Sequence, residues 1–130
     1  MKLFEYQAKD VFSSVGIPVP LSVLIKSADE ILEAVNKVGL PAVLKCQVLS
    51  GGRGKAGLVR LVSSYEEAEA LAEKYFSDVS SLHAVLVEQA VDINRELYLA
   101  LTMDAPSGRA QLLGSADGGI DIEYIAAHAP

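Results

Sequence analysis

An α+β fold is predicted by three features of this sequence. Helical apolar spacing alternates with short β-rich runs, two S-x-x-E signatures open helices, and Gly and Pro punctuate the changes of period. Apolar residues make up 51% of the 130, enough to build a core without disulfide or metal staples. Aromatics are only 6% and Trp is absent, so that core must rest on Val, Leu, Ile and Ala.

Residues 4–14 place Phe4, Ala8, Val11 and Phe12 on one helical face, with an end before Gly16. Pro18 and Pro20 then stiffen an extended link that reads as a subdomain boundary. Leu21–Ile25 reads as a strand. Ser27 and Glu30 form a capping box ahead of a stripe of Ile31, Leu32, Val35 and Val38, which Gly39 is placed to end in the left-handed conformation. Ala42–Cys46 has the composition of a buried strand, and a Gly-rich loop from Ser50 to Gly57 leads into strand Leu58–Val62. Ser64 and Glu67 open a second helix carrying Ala68, Leu71, Ala72 and Tyr75. Strands follow at 84–89 and 95–103, a hairpin turn at Asp104–Arg109, a returning strand at Ala110–Gly114, and the start of a helix at Asp121–Ala127. The chain stops just after that helix has begun, so the 130 residues are expected to be a piece of a larger assembly.

Charge and cysteine content narrow the function. Lys and Arg number 11 against 17 Asp and Glu, a formal charge of −6, which argues against a general nucleic-acid binder. One cysteine, Cys46, excludes an internal disulfide framework and a Cys-rich zinc site, and two histidines 45 positions apart disfavour a transition-metal centre. The first residues lack the apolar stretch of a signal peptide, and the longest apolar runs fall far short of the roughly 20 residues a membrane helix needs. A cytoplasmic protein without membrane contact is expected.

The strongest chemical feature runs from Lys45 to Gly57. Four glycines within seven residues let the backbone approach a ligand and turn its N–H groups toward an anion, with Arg53 and Lys55 at the tip and Lys45 aimed from the strand. The physical reading is a flexible loop over a polyphosphate. It is not a P-loop, because G-x-x-x-x-G-K-[ST] is absent and a strand follows. The alternative is a plain hairpin loop with solvated cations and a strand-end lysine whose stem snorkels to water.

A second candidate is Val85 to Tyr98: a strand ending at Glu88, a short linker able to offer backbone groups to a base edge, and Glu96 able to accept two ribose hydroxyls. The alternative pairs both carboxylates with Arg95 or with lysines at solvated strand ends. Ser115–Glu123 is a third glycine-bearing loop, with Asp117 and Asp121 in structural roles or Gly118–Gly119 against a subunit or phosphate. His83 and His128 lack acid partners in sequence and read as surface histidines, and Cys46 reads as a small buried hydrophobe.

Together these segments resemble the start of the β subunit of ADP- or GDP-forming succinyl-CoA synthetase, over essentially the whole chain. The resemblance is carried by Leu3-Phe4-Glu5-Tyr6-Gln7-Ala8-Lys9, Gly16-Ile17-Pro18-Val19-Pro20, Lys45-Cys46-Gln47-Val48 and Gly51–Gly57. It continues in Val87-Glu88, Asp92-Ile93, Glu96-Leu97-Tyr98 and Gly118–Glu123. It implies an ATP-grasp fold, with residues 1–20 starting an adjoining subdomain, 21–100 forming the nucleotide-binding lobe and 101–130 returning to the adjoining subdomain. It implies that Lys45 contacts the nucleotide phosphates and that Gly52, Arg53 and Gly54 cover them. Glu88 and Val91 would lie along the adenine-edge linker, and Glu96 would bind the ribose.

The implied activity couples ATP or GTP, succinate and CoA to succinyl-CoA, through a phosphohistidine on a partner α subunit. Malate–CoA ligase and the matching part of ATP citrate lyase resemble the same motifs. A nucleotide-binding or assembly module without catalysis is the reading from another class. Mg²⁺ is implied for the full enzyme, but its ligands (an Asn in an E-x-N-P stretch and a later Asp) have no counterpart here. The 130 residues alone are therefore expected not to turn over. Leu49-Ser50 and Leu58 depart from the family pattern without removing a cation.

Overall fold

A computed structural model describes residues 2–50 and 52–116. The chain divides into two compact units, Met1–Val91 and Asp92–Pro130. In the first, the elements are α1 (Glu5–Ser14), β1 (Ser22–Ile25), α2 (Ile31–Val38), β2 (Ala42–Gln47), β3 (Val59–Val62), α3 (Tyr65–Asp78) and β4 (Ala84–Gln89). In the second, β5 (Tyr98–Asp104) and β6 (Arg109–Ser115) form an antiparallel hairpin closed at Asp104–Arg109. The helix expected from Asp121, the loop glycines Gly118 and Gly119, and His128 lie outside the described residues.

The four strands of the first unit pair antiparallel in the order β1-β4-β2-β3. Alternation then sorts their side chains. Ala42, Leu44 and Cys46 on β2 and Val85 and Val87 on β4 join the apolar cluster with Ile31, Ala34, Val35 and Val38 of α2 and Ala68, Ala72 and Tyr75 of α3. Both helices thus cover one face of the sheet. The opposite face receives Lys45 and Gln47 from β2 and Leu86 and Glu88 from β4.

The Ser27 capping box forms, and the Ser64 box is half made. The Glu30 carboxylate accepts from Ser27 N at 3.0 Å, opening a 3₁₀ turn before α2 begins at Ile31. Ser64 Oγ accepts from Glu67 N at 3.2 Å, and the Glu67 carboxylate answers on Ser63 N rather than on the cap. Three local expectations need correction. Leu32 is exposed and Ala34 takes its place in the stripe, since the buried side of α2 is the one that carries Ile31, Ala34, Val35 and Val38 into the cluster. Gly39 does take a positive φ of 83°, but with ψ of 164° it passes straight into extended chain instead of the left-handed helical region. The apolar face of α1 is only partly packed: Phe4 is half-buried against His83, but Val11 and Phe12 are exposed, and no residue of the helix is fully buried. Charges and one buried amide hold that helix.

Candidate functional site

The site grows from the register of β2 against β4. Lys45 stands opposite Leu86 and Val43 opposite Glu88, so Lys45 and Glu88 are diagonal neighbours on the face away from α2 and α3. Their side chains meet, with Lys45 Nζ donating to Glu88 Oε1 at 2.7 Å. Glu88 is only 5% exposed, and Lys9, from the second turn of α1, pairs with its other oxygen.

Helix α1 supplies the opposing carboxylate. Glu5 accepts from Lys45 Nζ at 3.0 Å through one oxygen and from Arg53 Nη2 at 2.7 Å through the other. Arg53 also donates through Nη1 to the Cys46 carbonyl at 3.1 Å, tying the Gly-rich loop back to β2. Lys9 sits 3.5 Å from Glu5 one turn along the helix. Three cations and two carboxylates therefore share one half-buried cluster, with one positive charge in excess.

Burial alone would raise the Glu5 carboxyl; Lys45 and Arg53 outweigh it and hold the group below its usual value. Burial lowers Lys9, and the nearby charge of Lys45 adds to the effect against the pull of Glu5.

A neutral side chain fixes the helix over the sheet. Gln47 is fully buried, accepts from Tyr6 N at 3.3 Å and donates to the Lys45 carbonyl at 3.0 Å. His83 is exposed, its ring stacked on Phe4 at 4.4 Å with Tyr6 Oη 3.4 Å from Nε2. Cys46 is buried and its thiol is pushed up to about 11 by that burial, against the charge of Arg53, so it is no nucleophile at neutral pH.

The loop from Gly52 to Gly57 is wound on itself. Gly52 and Gly57 have φ of 74° and 71°, a conformation costly for any residue with a Cβ. The N–H groups of Ala56, Gly57 and Leu58 donate to the carbonyls of Gly52, Gly54 and Arg53. Those three donors are spent inside the loop and do not point to an anion, a departure from the cradle expected of the whole segment.

The residues expected from sequence thus divide. Lys45, Arg53 and Glu88 come together, and Gly52 and Gly54 shape the loop that carries Arg53. Glu88 lies within β4 and Val91 is exposed just after it, whereas Glu96 is exposed and belongs to the second unit. The alternative pairing of Glu88 with lysine is realised, though inside the cluster and not on a solvated strand end. Sequence reasoning gave no role to Glu5, Lys9 or Gln47. The i,i+4 spacing of Glu5 and Lys9 shows that they share a helix face, but nothing local shows that β2 and β4 lie beneath it. Among the described residues no group of three or more His, Cys, Asp or Glu is arranged to hold a metal ion, and no helix is long and apolar enough to cross a membrane.

Residues 2–130 match the ATP-grasp domain family, and the chain belongs to it. It is 50% identical over 130 residues to the ADP-forming sulfoacetate-CoA ligase subunit SauC of Bilophila wadsworthia. It is 47% identical over 133 residues to the succinate–CoA ligase [ADP-forming] subunit beta of Natronomonas pharaonis. Both alignments cover 100% of this chain and 35% of the relative, so the chain spans about a third of their length. Among solved structures, PH1788 from Pyrococcus horikoshii Ot3 superposes with a TM-score of 0.74 at 29% identity, covering 95% of this chain and 55% of that one. Acetyl-coenzyme A synthetase 1 of Ca. Korarchaeum cryptofilum, solved with coenzyme A and Ca-AMPCP, also gives 0.74, at 26% identity over 87% of this chain and 52% of that one.

Proposed function

We propose that these residues are the nucleotide-binding part of the β subunit of an ADP-forming acid–CoA ligase, with ATP or GTP as the phosphoryl donor. The observation that carries this reading is the convergence of Lys45 and Arg53, from a strand and from a glycine loop, on one carboxylate in a chain of the ATP-grasp family. Two cations held that way are positioned to receive phosphate oxygens, and phosphoryl transfer depends chiefly on such positioning and charge neutralisation. Lys45 and Arg53 bind and orient the phosphates, Gly52 and Gly54 let the loop lie over them, Glu88 and Val91 border the base, and Glu96 accepts the ribose hydroxyls. The lobe so defined is residues 21–100, with 1–20 and 101–130 belonging to the adjoining subdomain.

In this reading a partner α subunit supplies the phosphohistidine and the CoA site, and the assembly works in the cytoplasm. In the whole enzyme Mg²⁺ would add charge neutralisation at the phosphates, held by an E-x-N-P stretch that these 130 residues do not contain. The acid is a small dianion. Succinate is the first choice, and sulfoacetate, the acid named for the 50% relative, has the same charge and nearly the same reach.

The test is a calorimetric titration of ATP and GTP into this chain and into its Lys45→Ala and Glu96→Ala variants. Both substitutions are expected to weaken binding; unchanged affinity in both would overturn the site assignment. In a coupled assay, these 130 residues with the partner subunit are expected to give no succinate-, CoA- and ATP-dependent turnover.

A further inference from the structure

We infer that Glu5 is a resident counter-ion at the phosphate site, holding Lys45 and Arg53 until a polyphosphate displaces it, so that helix α1 sets how much negative charge a ligand must bring. This deepens the nucleotide reading above and rests on it. Glu5 uses both carboxylate oxygens, one for each cation, at 3.0 Å and 2.7 Å. A phosphate prefers the same donors in the same charge-assisted geometry, so the two anions make rival claims on one pair of cations.

The contact is built in. The Glu5, Lys45 and Arg53 side chains are 19%, 19% and 26% exposed, unlike the loose Lys37–Glu33 pair on the surface of α2. The helix that carries Glu5 is pinned at the next residue by Tyr6 N on the buried Gln47, and one turn further by Lys9 on Glu88. Burial does not neutralise Glu5, because the two cations hold it ionised.

The two carboxylates of the cluster differ in what they can do. Glu88 belongs to an inner strand and is almost wholly buried, so it remains as the permanent partner of Lys45. Glu5 stands on a helix outside the sheet and is the one that can yield. Its release also removes the tie between the Arg53 guanidinium and α1, leaving the loop held through Nη1 on the Cys46 carbonyl, which couples arrival of the phosphates to movement of the loop.

The experiment titrates inorganic tripolyphosphate, ATP and adenosine at low salt into the chain, Glu5→Gln, Glu5→Asp and Lys45→Ala. Glu5→Gln is expected to bind tripolyphosphate and ATP about tenfold tighter, as the two charge-assisted bonds of the Glu5 carboxylate no longer have to be given up, with adenosine unchanged. Glu5→Asp, which keeps the charge on a shorter arm, is expected to show a smaller gain, and it decides the question if Glu5→Gln does not fold. A helix with a merely structural role would weaken all three ligands together on substitution. Affinity for tripolyphosphate equal to or below that of the parent chain overturns the inference.

If the parent chain binds ATP and Lys45→Ala does not alter it, the nucleotide site itself is misplaced, a separate failure. Without any ligand, hydrogen exchange at the amides of Ala56, Gly57 and Leu58 is expected to be several-fold faster in Glu5→Gln and Glu5→Asp. Unchanged rates there overturn the restraint of the loop by Glu5, whatever the titration gives.

Discussion

Lys45 Nζ lies 2.7 Å from Glu88 Oε1, and the two residues are diagonal neighbours across the β2–β4 ladder. The geometry puts a carboxylate and two ammonium groups, those of Lys45 and Lys9, at the same spot on the face away from the apolar core. A buried charge with its partners removed is far more costly than the pair intact.

Glu88→Gln is therefore expected to destabilise the fold by about 2–4 kcal/mol, since it leaves two half-buried lysines facing a neutral amide. Urea unfolding measures it. Lys45→Met with Glu88→Leu together should cost less than the sum of the single changes, because the partners act on one another. Glu33→Gln, which removes the exposed partner of Lys37, should leave the midpoint unmoved.

Acid sensitivity follows from Glu5. Burial raises its carboxyl, yet Lys45 and Arg53 more than offset this, so its folded pKa lies below the ordinary 4.5. The unfolded chain then takes up the proton first as pH falls. The stabilisation is fully present above about 4.5 and is lost as pH drops through the folded value. Thermal melts from pH 6 to pH 3 should show a steeper acid fall in the parent chain than in Glu5→Gln.

The alkaline side has the opposite sign. Burial pushes the Cys46 thiol from 9.0 to about 11, so the folded state holds its proton where the unfolded state has released it. Stability from this source declines as pH rises from 9 toward 11, and Cys46→Ala should flatten that limb. At pH 8 a thiol reagent should modify Cys46 only as fast as the chain opens, and rapid reaction with the native fold would contradict its burial.

Gln47 makes a prediction about α1. Its amide joins Tyr6 N to the Lys45 carbonyl inside the protein, so Gln47→Leu leaves two backbone groups without that partner. The expected loss is about 1–3 kcal/mol, and exchange at the Tyr6 amide should rise more than exchange in β2. Equal protection of Tyr6 in both proteins would show that α1 is held by its charges alone.

The elements of this fold were legible in the chain because their signals are local. The capping box at Ser27 forms and Ser64 caps its helix, the apolar runs at Ala42–Cys46 and 84–89 lie in strands, and Asp104–Arg109 closes a hairpin. Where reading failed, a neighbour decided. Leu32 carries a larger apolar side chain than Ala34, yet it stays exposed while Ala34 is buried in the cluster that α2 forms with α3 and the sheet. The helical stripe of α1 looks like a packing face, yet Val11 and Phe12 remain exposed and the helix is fastened by Glu5, Lys9 and the Tyr6 amide.

By itself the sequence determined the α+β class, the order of helices and strands, and the family to which the ordered motifs belong, because capping, periodicity and turn chemistry act over a few residues. It also singled out Lys45 and Arg53 as cations near a glycine loop. Only the tertiary structure decided what those cations face. The antiparallel register of β2 and β4 sets Lys45 beside Glu88, and the passage of α1 over that face brings Glu5 across 40 and 48 positions to Lys45 and Arg53. Ion pairs between residues so far apart leave no period in the chain, since their partners are chosen by packing and not by spacing.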